Sequence, residues 1–292
     1  HDLLEGESAD MQEFTLLKFP VKGSRDILVA ATLRPETVFG QTNMWVNPDN
    51  DYVRASVGKE RWILSEEAAG KLSSQKVKLK VLGRVPGRSL VGRFVKAPGV
   101  DKEIPVLPSD FCDPDIGTGI VTSVPSDAPH DWMGLKDLKK DSRKLKKYGL
   151  RVGVVKDIEV IPIIRIKGRG DCAAAEICEK MGIRSQKESE KLEEAKKRVY
   201  KEGFHAGVMG ENCGRYAGMK VEEAKEKVKK ELIRKGKASV MMEFSEPVVC
   251  RCGGKVVVAK TESWFLDYSR KSWKARARKC VEGLKNIPSG AK

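Results

Sequence analysis

Ahead of Ser126 the apolar residues fall in short runs rather than at helical spacing. ILVAAT (27–32), MWV (44–46), VKLKVLG (77–83), GRFVKAP (92–98), EIPVL (103–107) and TGIVTSV (118–124) are rich in β-branched or apolar residues. Gly, Pro, Asn or Asp bound each run, which predicts strands. PGRSLVGRFVKAPG alternates between turn residues in the manner of a hairpin. SEEAAGKLSS (65–74) interrupts the series with a short helix. Ser65 is its cap, and two acids sit in the first turn, where the dipole favours them.

From Ser126 the period changes. SDAPHDWMGLKDLKKDSRKLKK opens with cap-type residues and a proline, and Trp132, Leu135 and Leu138 then repeat at helical spacing. EVIPII (159–164) predicts a strand, and DCAAAEICEKMG a helix capped by Asp171 with Gly182 just past its end. SQKESEKLEEAKKRVYKEGF carries the capping-box pattern Ser185-x-x-Glu188, with Leu192, Ala195 and Val199 on one face. VEEAKEKVKKELIRKG places Val221, Ala224, Val228 and Leu232 together, and pairs Glu223 with Lys227 and Glu226 with Lys230. SVMMEF and KVVVA predict closing strands, and WFLDYSRKSWKARARKCVEGL a basic amphipathic helix. Strands first and helices later, with no repeat or Ser/Pro-rich linker between them, predict one α+β domain.

Length and charge then narrow the class. A chain of 292 residues can bury a sizeable core, and no apolar run approaches the roughly 18–20 residues of a membrane span, so no membrane partner is expected. The start, HDLLEGESADMQEF, has neither the basic end nor the apolar run of a signal peptide, and it lacks an initial Met, as a processed or excised fragment would. Lys and Arg number 56 against 41 Asp and Glu, a net +15 that points to an anionic partner such as nucleic acid. Solvated helices such as KEKVKKELIRKGK also accumulate lysine without one. Seven cysteines, an odd count in a long chain, predict a reducing compartment rather than a disulfide framework. Cys250-Arg-Cys252 resembles half a metal knuckle, but no second pair follows and His205 is isolated. Two thiols in a turn are the expectation there, and no metal site.

A conventional active site is hard to assemble. The histidines are His1, His130 and His205, and the chain has no G-x-S-x-G, H-E-x-x-H or G-x-x-x-x-G-K-[ST]. Only His130 lies beside other polar candidates, so a covalent mechanism of the usual type is not expected. Two stretches remain. In ATLRPETVFGQTN (31–43) Thr32 could cap a helix whose first turn takes Pro35 and Glu36. In GTGIVTSVPSDAPHD (117–131) Gly117 and Gly119 flank Thr118, so the backbone can bend and admit a flat ligand. Asp127 and Asp131 then stand four apart, on one helix face, as a receptor for a cation such as an α-ammonium group or as parts of a capped helix start.

Together the two stretches resemble one family. TLRPETVFGQTNMWV looks like the threonine-rich motif of the editing (CP1) domains inserted into the class I synthetases for leucine, valine and isoleucine, and GTGIVTSVPSDAPHD like their GTG strand and aspartate loop. VTSVPSD resembles the eukaryotic-type, cytosolic leucyl-tRNA synthetase rather than the valyl enzyme. QEFTLLKFPV, IPIIRIKGRGD, SQKESEKLEEAKKRVYKEGFHAGVM and WFLDYSRKSW follow in the family's order, so the resemblance spans almost the whole chain. It implies an α+β fold with a mixed, β-barrel-like core and peripheral helices. The core would run from about residue 20 to 265, with 266–292 starting the return toward an aminoacylation core whose HIGH and KMSKS motifs are absent here. ATP would belong to that core, and no cofactor to this domain.

What the resemblance implies for function is hydrolysis, in the cytoplasm, of the ester joining a wrong amino acid (isoleucyl, valyl, norvalyl or methionyl) to the terminal adenosine of leucine tRNA. By the same resemblance Asp131 holds the α-ammonium, Thr37 crowds the pocket against leucine, and Thr32 stands near the ester and its water. Leu33 fills the position of a second threonine, as in eukaryotic-type sequences. Arg34 orients the motif or meets a phosphate, with Glu36 beside it. The segment Thr118, Gly119, Ile120, Thr122 and Val124 cradles adenine and the amino-acid side chain. Asp127 acts as a cap or supporting group, and Lys220, in the loosely matching GRYAGMK, corresponds to a family lysine. Boron compounds that bridge the terminal cis-diol are expected ligands. A valyl-type editing domain and a non-catalytic tRNA-binding module are the alternatives.

Overall fold

The ILVAA run is apolar on both sides because both sides are covered: Leu28 and Ala30 enter one core and Val29 another. The structure, a computed structural model, describes residues 3–6, 8–100, 102–168, 170–264 and 266–283. Arg169 of IPIIRIKGRGD, Phe265 of WFLDYSRKSW and the end of the return segment, 284–292, lie outside the described residues. The chain divides into two compact units, 1–259 and 260–292.

In chain order the first unit contains β1 (Leu3–Glu5), β2 (Met11–Pro20), β3 (Asp26–Thr32), a 3-10 turn at Pro35–Gly40, β4 (Asn43–Val46), β5 (Asp51–Val57), β6 (Glu60–Leu64), α1 (Glu66–Ser74), β7 (Leu79–Pro86), β8 (Phe94–Lys96), β9 (Glu103–Pro108) and β10 (Ile120–Ser123). It continues through α2 (Pro129–Lys140), α3 (Ser142–Lys147), α4 (Val152–Lys156), β11 (Ile164–Arg165), α5 (Ala173–Lys180), α6 (Ser189–Ala206), β12 (Val208–Met209), α7 (Val221–Arg234), β13 (Ala238–Phe244) and β14 (Val249–Cys250). Six strands pair in the order β13-β2-β3-β6-β5-β7 and four in the order β10-β4-β9-β8. The pairs β3–β6 and β4–β9 are parallel and the rest antiparallel, so the sheets are mixed.

The fold is α+β, but neither sheet closes into a barrel. β13 and β7 remain opposite edges of the larger sheet, and the two sheets meet at a corner where Val21 bridges Val95 and the Lys22 N–H donates to the Phe94 carbonyl (2.8 Å). Leu17, Phe19, Leu28, Met44, Val46 and Val106 fill the main core. On the other face of the larger sheet, Leu16, Val29 and Leu64 pack under Ala68 and Leu72 of α1, which Ser65 caps by accepting from the Ala68 N–H (3.1 Å). Met133 of α2, Ile177 of α5, and Leu192, Ala195 and Val199 of α6 form a helical core of their own. Val221, Ala224, Val228 and Leu232 turn α7 onto the main core. Its surface pairs are Glu223–Lys227 (3.9 Å) as expected and Glu226–Lys229 (3.0 Å) in place of Glu226–Lys230.

Several local expectations are corrected. EVIPII is a strand only at its last residue, since Pro162 removes a ladder donor. KVVVA has no buried residue to hold it against a sheet and makes a single bridge, Lys255 to Val249. PGRSLVGRFVKAPG is not a hairpin: β7 and β8 lie in different sheets, and β8 pairs with β9. Cys172, not Asp171, occupies the N-cap of α5. Glu188 does accept from the Ser185 N–H (3.3 Å), but that turn precedes α6 instead of starting it.

The second unit carries α8 (Lys271–Glu282), none of whose residues is buried. Before it, Tyr268 meets Trp273 edge-on at 5.5 Å between ring centroids.

Candidate active site

The two stretches singled out in the sequence meet at the end of β3. The Ala31 N–H donates to Thr118 Oγ1 (3.2 Å), Gln41 Nε2 to Thr122 Oγ1 (2.9 Å) and the Thr42 N–H to the Ser123 carbonyl (3.1 Å). Gly117 and Gly119 have φ of 57° and 70°, where a side chain is strained. A Cβ on Gly117 would stand 2.7 Å from that of Ala31, and one on Gly119 3.1 Å from that of Ser65. The close approach these glycines permit is therefore of the chain to itself. Thr118, Ile120 and Val124 are buried in the frame, and Thr122 is half-buried on β10.

β3 ends at Thr32, whose Oγ1 accepts from the Arg34 N–H (3.0 Å). Thr32 thus closes the bend into the 3-10 turn, whose own N-cap, Arg34, has no side-chain cap. The Arg34 carbonyl accepts twice from Thr37, from its N–H (3.0 Å) and from Oγ1 (2.8 Å). That pair fixes χ1 of Thr37 and hence the direction of its γ-methyl. Thr32 and Leu33 are half-buried, whereas Thr37 and Glu36 are buried.

Arg34 is not a surface cation waiting for phosphate. Nε pairs with Glu36 Oε1 (3.1 Å), the guanidinium lies 4.4 Å from the Tyr200 ring centroid, and Nη2 is buried with no hydrogen-bond partner among the described residues. Burial works against its charge, but Glu36, Tyr200 and Asp127 outweigh burial and raise its pKa. Burial likewise pushes the Glu36 carboxyl up, with Arg34 pulling back.

In the first turn of α2 Asp131, 5 % exposed, accepts from Trp45 Nε1 (3.1 Å) through Oδ1 and from the Val124 N–H (2.8 Å) through Oδ2. Burial lifts its pKa to about 7 despite both donors. Asp127 is also buried; it accepts from the Ser126 hydroxyl (2.5 Å), and burial raises its pKa while Arg34 opposes. The expectation that Asp127 and Asp131 share one helix face is corrected, because α2 begins at Pro129 with Ala128 as its uncapped N-cap. Neither Asp127 nor Ser126 caps it; the Ser126 carbonyl instead accepts from Ala174 N–H (3.0 Å) at the start of α5.

His130 is half-buried, with Nε2 3.4 Å from Glu193 and the Phe111 ring on its flank; burial lowers its pKa. Lys220 is exposed just ahead of α7, where its backbone bridges Val208, and Lys225 of α7 is the lysine whose charge acts on Glu36. Cys250 and Cys252 sit in a turn closed from the Gly253 N–H to the Cys250 carbonyl (2.7 Å). Among the described residues no three His, Cys, Asp or Glu side chains converge as metal ligands. A separate cavity of about 370 Å³, lined by Val38, Phe39, Tyr216, Val228 and Leu232 among others, adjoins the 3-10 turn without including Thr32, Thr37 or Asp131.

Trp45 and Tyr200 were not foreseen. Tyr200 is eight residues beyond Leu192 and so continues the Leu192–Val199 face, a periodic signal that could have found it. Nothing in MWV announces that the Trp45 indole N–H reaches Asp131.

A mixed-sheet frame that joins a threonine-bearing turn to the strand leading into a buried aspartate is also the arrangement of a known class, the synthetase editing domains. A family model described as "Leucyl-tRNA synthetase, editing domain" matches residues 12–145. The crystal structure of GlLeuRS-CP1 is 32% identical, with a TM-score of 0.70, covering 80% of this chain and 99% of that one. The editing domain of the P. knowlesi cytosolic leucyl-tRNA synthetase is 25% identical, with a TM-score of 0.73 over 80% of this chain and 97% of its own. The leucine–tRNA ligase of Methanothermobacter thermautotrophicus is 48% identical over 290 residues, 99% of this chain and 30% of the ligase. That of Pyrococcus horikoshii is 43% identical, again over 99% and 30%. The chain belongs to the leucyl-tRNA synthetase editing-domain family, and it spans about 30% of the length of the curated ligases it matches. Both of those ligases are archaeal.

Proposed function

We propose that the chain is the editing insertion of a leucine–tRNA ligase and hydrolyses the aminoacyl ester of mischarged leucine tRNA, with isoleucyl, valyl, norvalyl and methionyl esters as substrates. The observation that carries this is the buried Asp131 carboxyl. Glu36 pairs with the Arg34 guanidinium and Asp127 lies within reach of its charge, whereas Asp131 is held by an indole and a backbone N–H, with Lys196 rather than Arg34 as the cation acting on it. An α-ammonium would give Asp131 a directly bonded cation, and Asp131, with one N–H on each oxygen, keeps lone pairs to receive it.

The remaining roles follow from position. Thr32 and Leu33, half-buried at the end of β3, flank the ester and its attacking water. The Thr37 methyl, locked by two bonds to one carbonyl, excludes leucine. The edge strand β10, from Ile120 through Thr122 toward Val124, lies along the terminal adenosine, while Thr118 and Gly119 hold its frame against β3 and Ser65. Water attacks the ester carbonyl, the bond to the ribose oxygen breaks, and the neighbouring free ribose hydroxyl assists proton transfer. Fixed position and preorganised charge lower the barrier without a covalent intermediate or a metal. The acceptor end of the tRNA meets a chain of net charge +15, Lys220 among its exposed cations. Boron compounds that bridge the terminal cis-diol occupy the same place.

The test is deacylation of isoleucyl-tRNA of leucine by the intact ligase carrying this segment. Hydrolysis by the wild type and its loss in Asp131→Ala are expected. Undiminished cleavage in that variant sinks the assignment, and tight, salt-dependent tRNA binding without cleavage would favour a non-catalytic module. The family membership sets the valyl-type alternative aside.

A further inference from the structure

We infer that Tyr200 of α6 is a positioning residue for size discrimination, acting on Thr37 through Arg34. The inference rests on the editing reading above. Two positions of α6, one turn apart, close over the Arg34 guanidinium. The Tyr200 ring lies 4.4 Å from it, and a Cβ on Gly203 would stand 3.7 Å from Nη2. Since Nη2 has no acceptor among the described residues, the guanidinium is held by Glu36 on one side and by the ring face on the other. A guanidinium clamped at both sides fixes the Arg34 residue, whose carbonyl takes both the N–H and the hydroxyl of Thr37. The rotamer that aims the Thr37 methyl is thereby tied to a helix far along the chain.

The same side chain reaches the charged wall. Tyr200 is within electrostatic range of both Asp131 and Asp127, and burial raises its own pKa to about 12, so it stays a neutral hydroxyl at working pH. It presents a π face to the cation that sets shape and adds no charge beside the carboxylates that hold the ammonium.

The test compares hydrolysis of leucyl- and isoleucyl-tRNA of leucine by the intact ligase. A desolvated cation–π contact corresponds to about thirtyfold. Tyr200→Ala is therefore expected to raise leucyl-ester cleavage relative to isoleucyl by about that factor, whereas Tyr200→Phe, which keeps the ring, leaves the ratio unchanged. In a Thr37→Ala background the Tyr200→Ala effect disappears, because the residue it positions is gone. Tyr200→Leu serves the same purpose if the alanine variant does not fold, as judged by thermal melting. Equal losses on both esters, or effects that add fully to Thr37→Ala, overturn the inference and leave a purely structural tyrosine. A wild type that edits normally while the ratio stays fixed in Tyr200→Ala refutes only Tyr200's role. A wild type that cleaves neither ester removes the editing reading and this inference together.

Discussion

The sheet-side wall and the helix-side wall of the site are built on opposite principles. On the sheet side, Thr32 and Thr37 spend their hydroxyls on the backbone of Arg34 and offer shape. On the helix side, Asp131 is held by an indole and one backbone N–H and offers charge, at the cost of a carboxyl raised toward neutrality by burial. On the proposed function the difference makes recognition and discrimination separable: one wall would ask whether an ammonium is present, and the other how large the side chain is. Arg34 with Tyr200 is where the two walls touch.

The largest break in this comparison comes from Asp131→Ala. Removing one partner of a buried charged pair costs about 2–5 kcal/mol, so kcat/KM on isoleucyl-tRNA should fall roughly 30- to 5,000-fold, read in a single-turnover deacylation assay. Next is Thr37→Ala, which leaves the charge wall intact and admits leucine. A methyl's worth of pocket is about 1–3 kcal/mol, so leucyl-tRNA cleavage should rise roughly 10- to 200-fold.

Acidity sharpens the contrast further. The Asp131 pKa is raised in the fold from an ordinary 3.8 to about 7, so its contribution to stability is fully present below the unfolded value and is lost as pH rises through about 7. Ammonium binding needs the carboxylate, so activity moves the other way. kcat/KM should climb about tenfold per pH unit up to about 7 and then level, while the melting temperature of Asp131→Asn, compared with wild type, loses this pH dependence. The smallest effect is expected from Trp45→Phe, which deletes one of the two donors to Asp131. The midpoint of the pH–rate profile should move upward and the rate at neutral pH fall several-fold, with the leucyl-to-isoleucyl ratio unchanged.

Legibility followed the same division. The sheet wall could be read locally: the strand at 27–32, the turn after it and the Ser65 cap all involve residues a few positions apart. Both motif stretches were also visible, because the GTG glycines and the R-P-E-T threonine are distinctive in sequence. The helix wall was not visible in the same way. Trp45 reaches Asp131 across a sheet, and Tyr200 reaches Arg34 from an inserted helix, so neither contact leaves a local pattern. The Asp127–Asp131 spacing looked helical, yet the helix starts at Pro129, after the first of them. EVIPII and KVVVA had strand composition but lacked, respectively, a full set of donors and a buried face.

The central claim, that charge and size are read by separate walls, is tested most directly by one side-by-side measurement. kcat/KM for isoleucyl- and leucyl-tRNA is determined in wild type, Asp131→Asn and Thr37→Ala. The account predicts that Asp131→Asn lowers both values by the same factor, while Thr37→Ala changes their ratio and spares the isoleucyl rate. An Asp131→Asn enzyme that keeps its isoleucyl rate but shifts the ratio would contradict it.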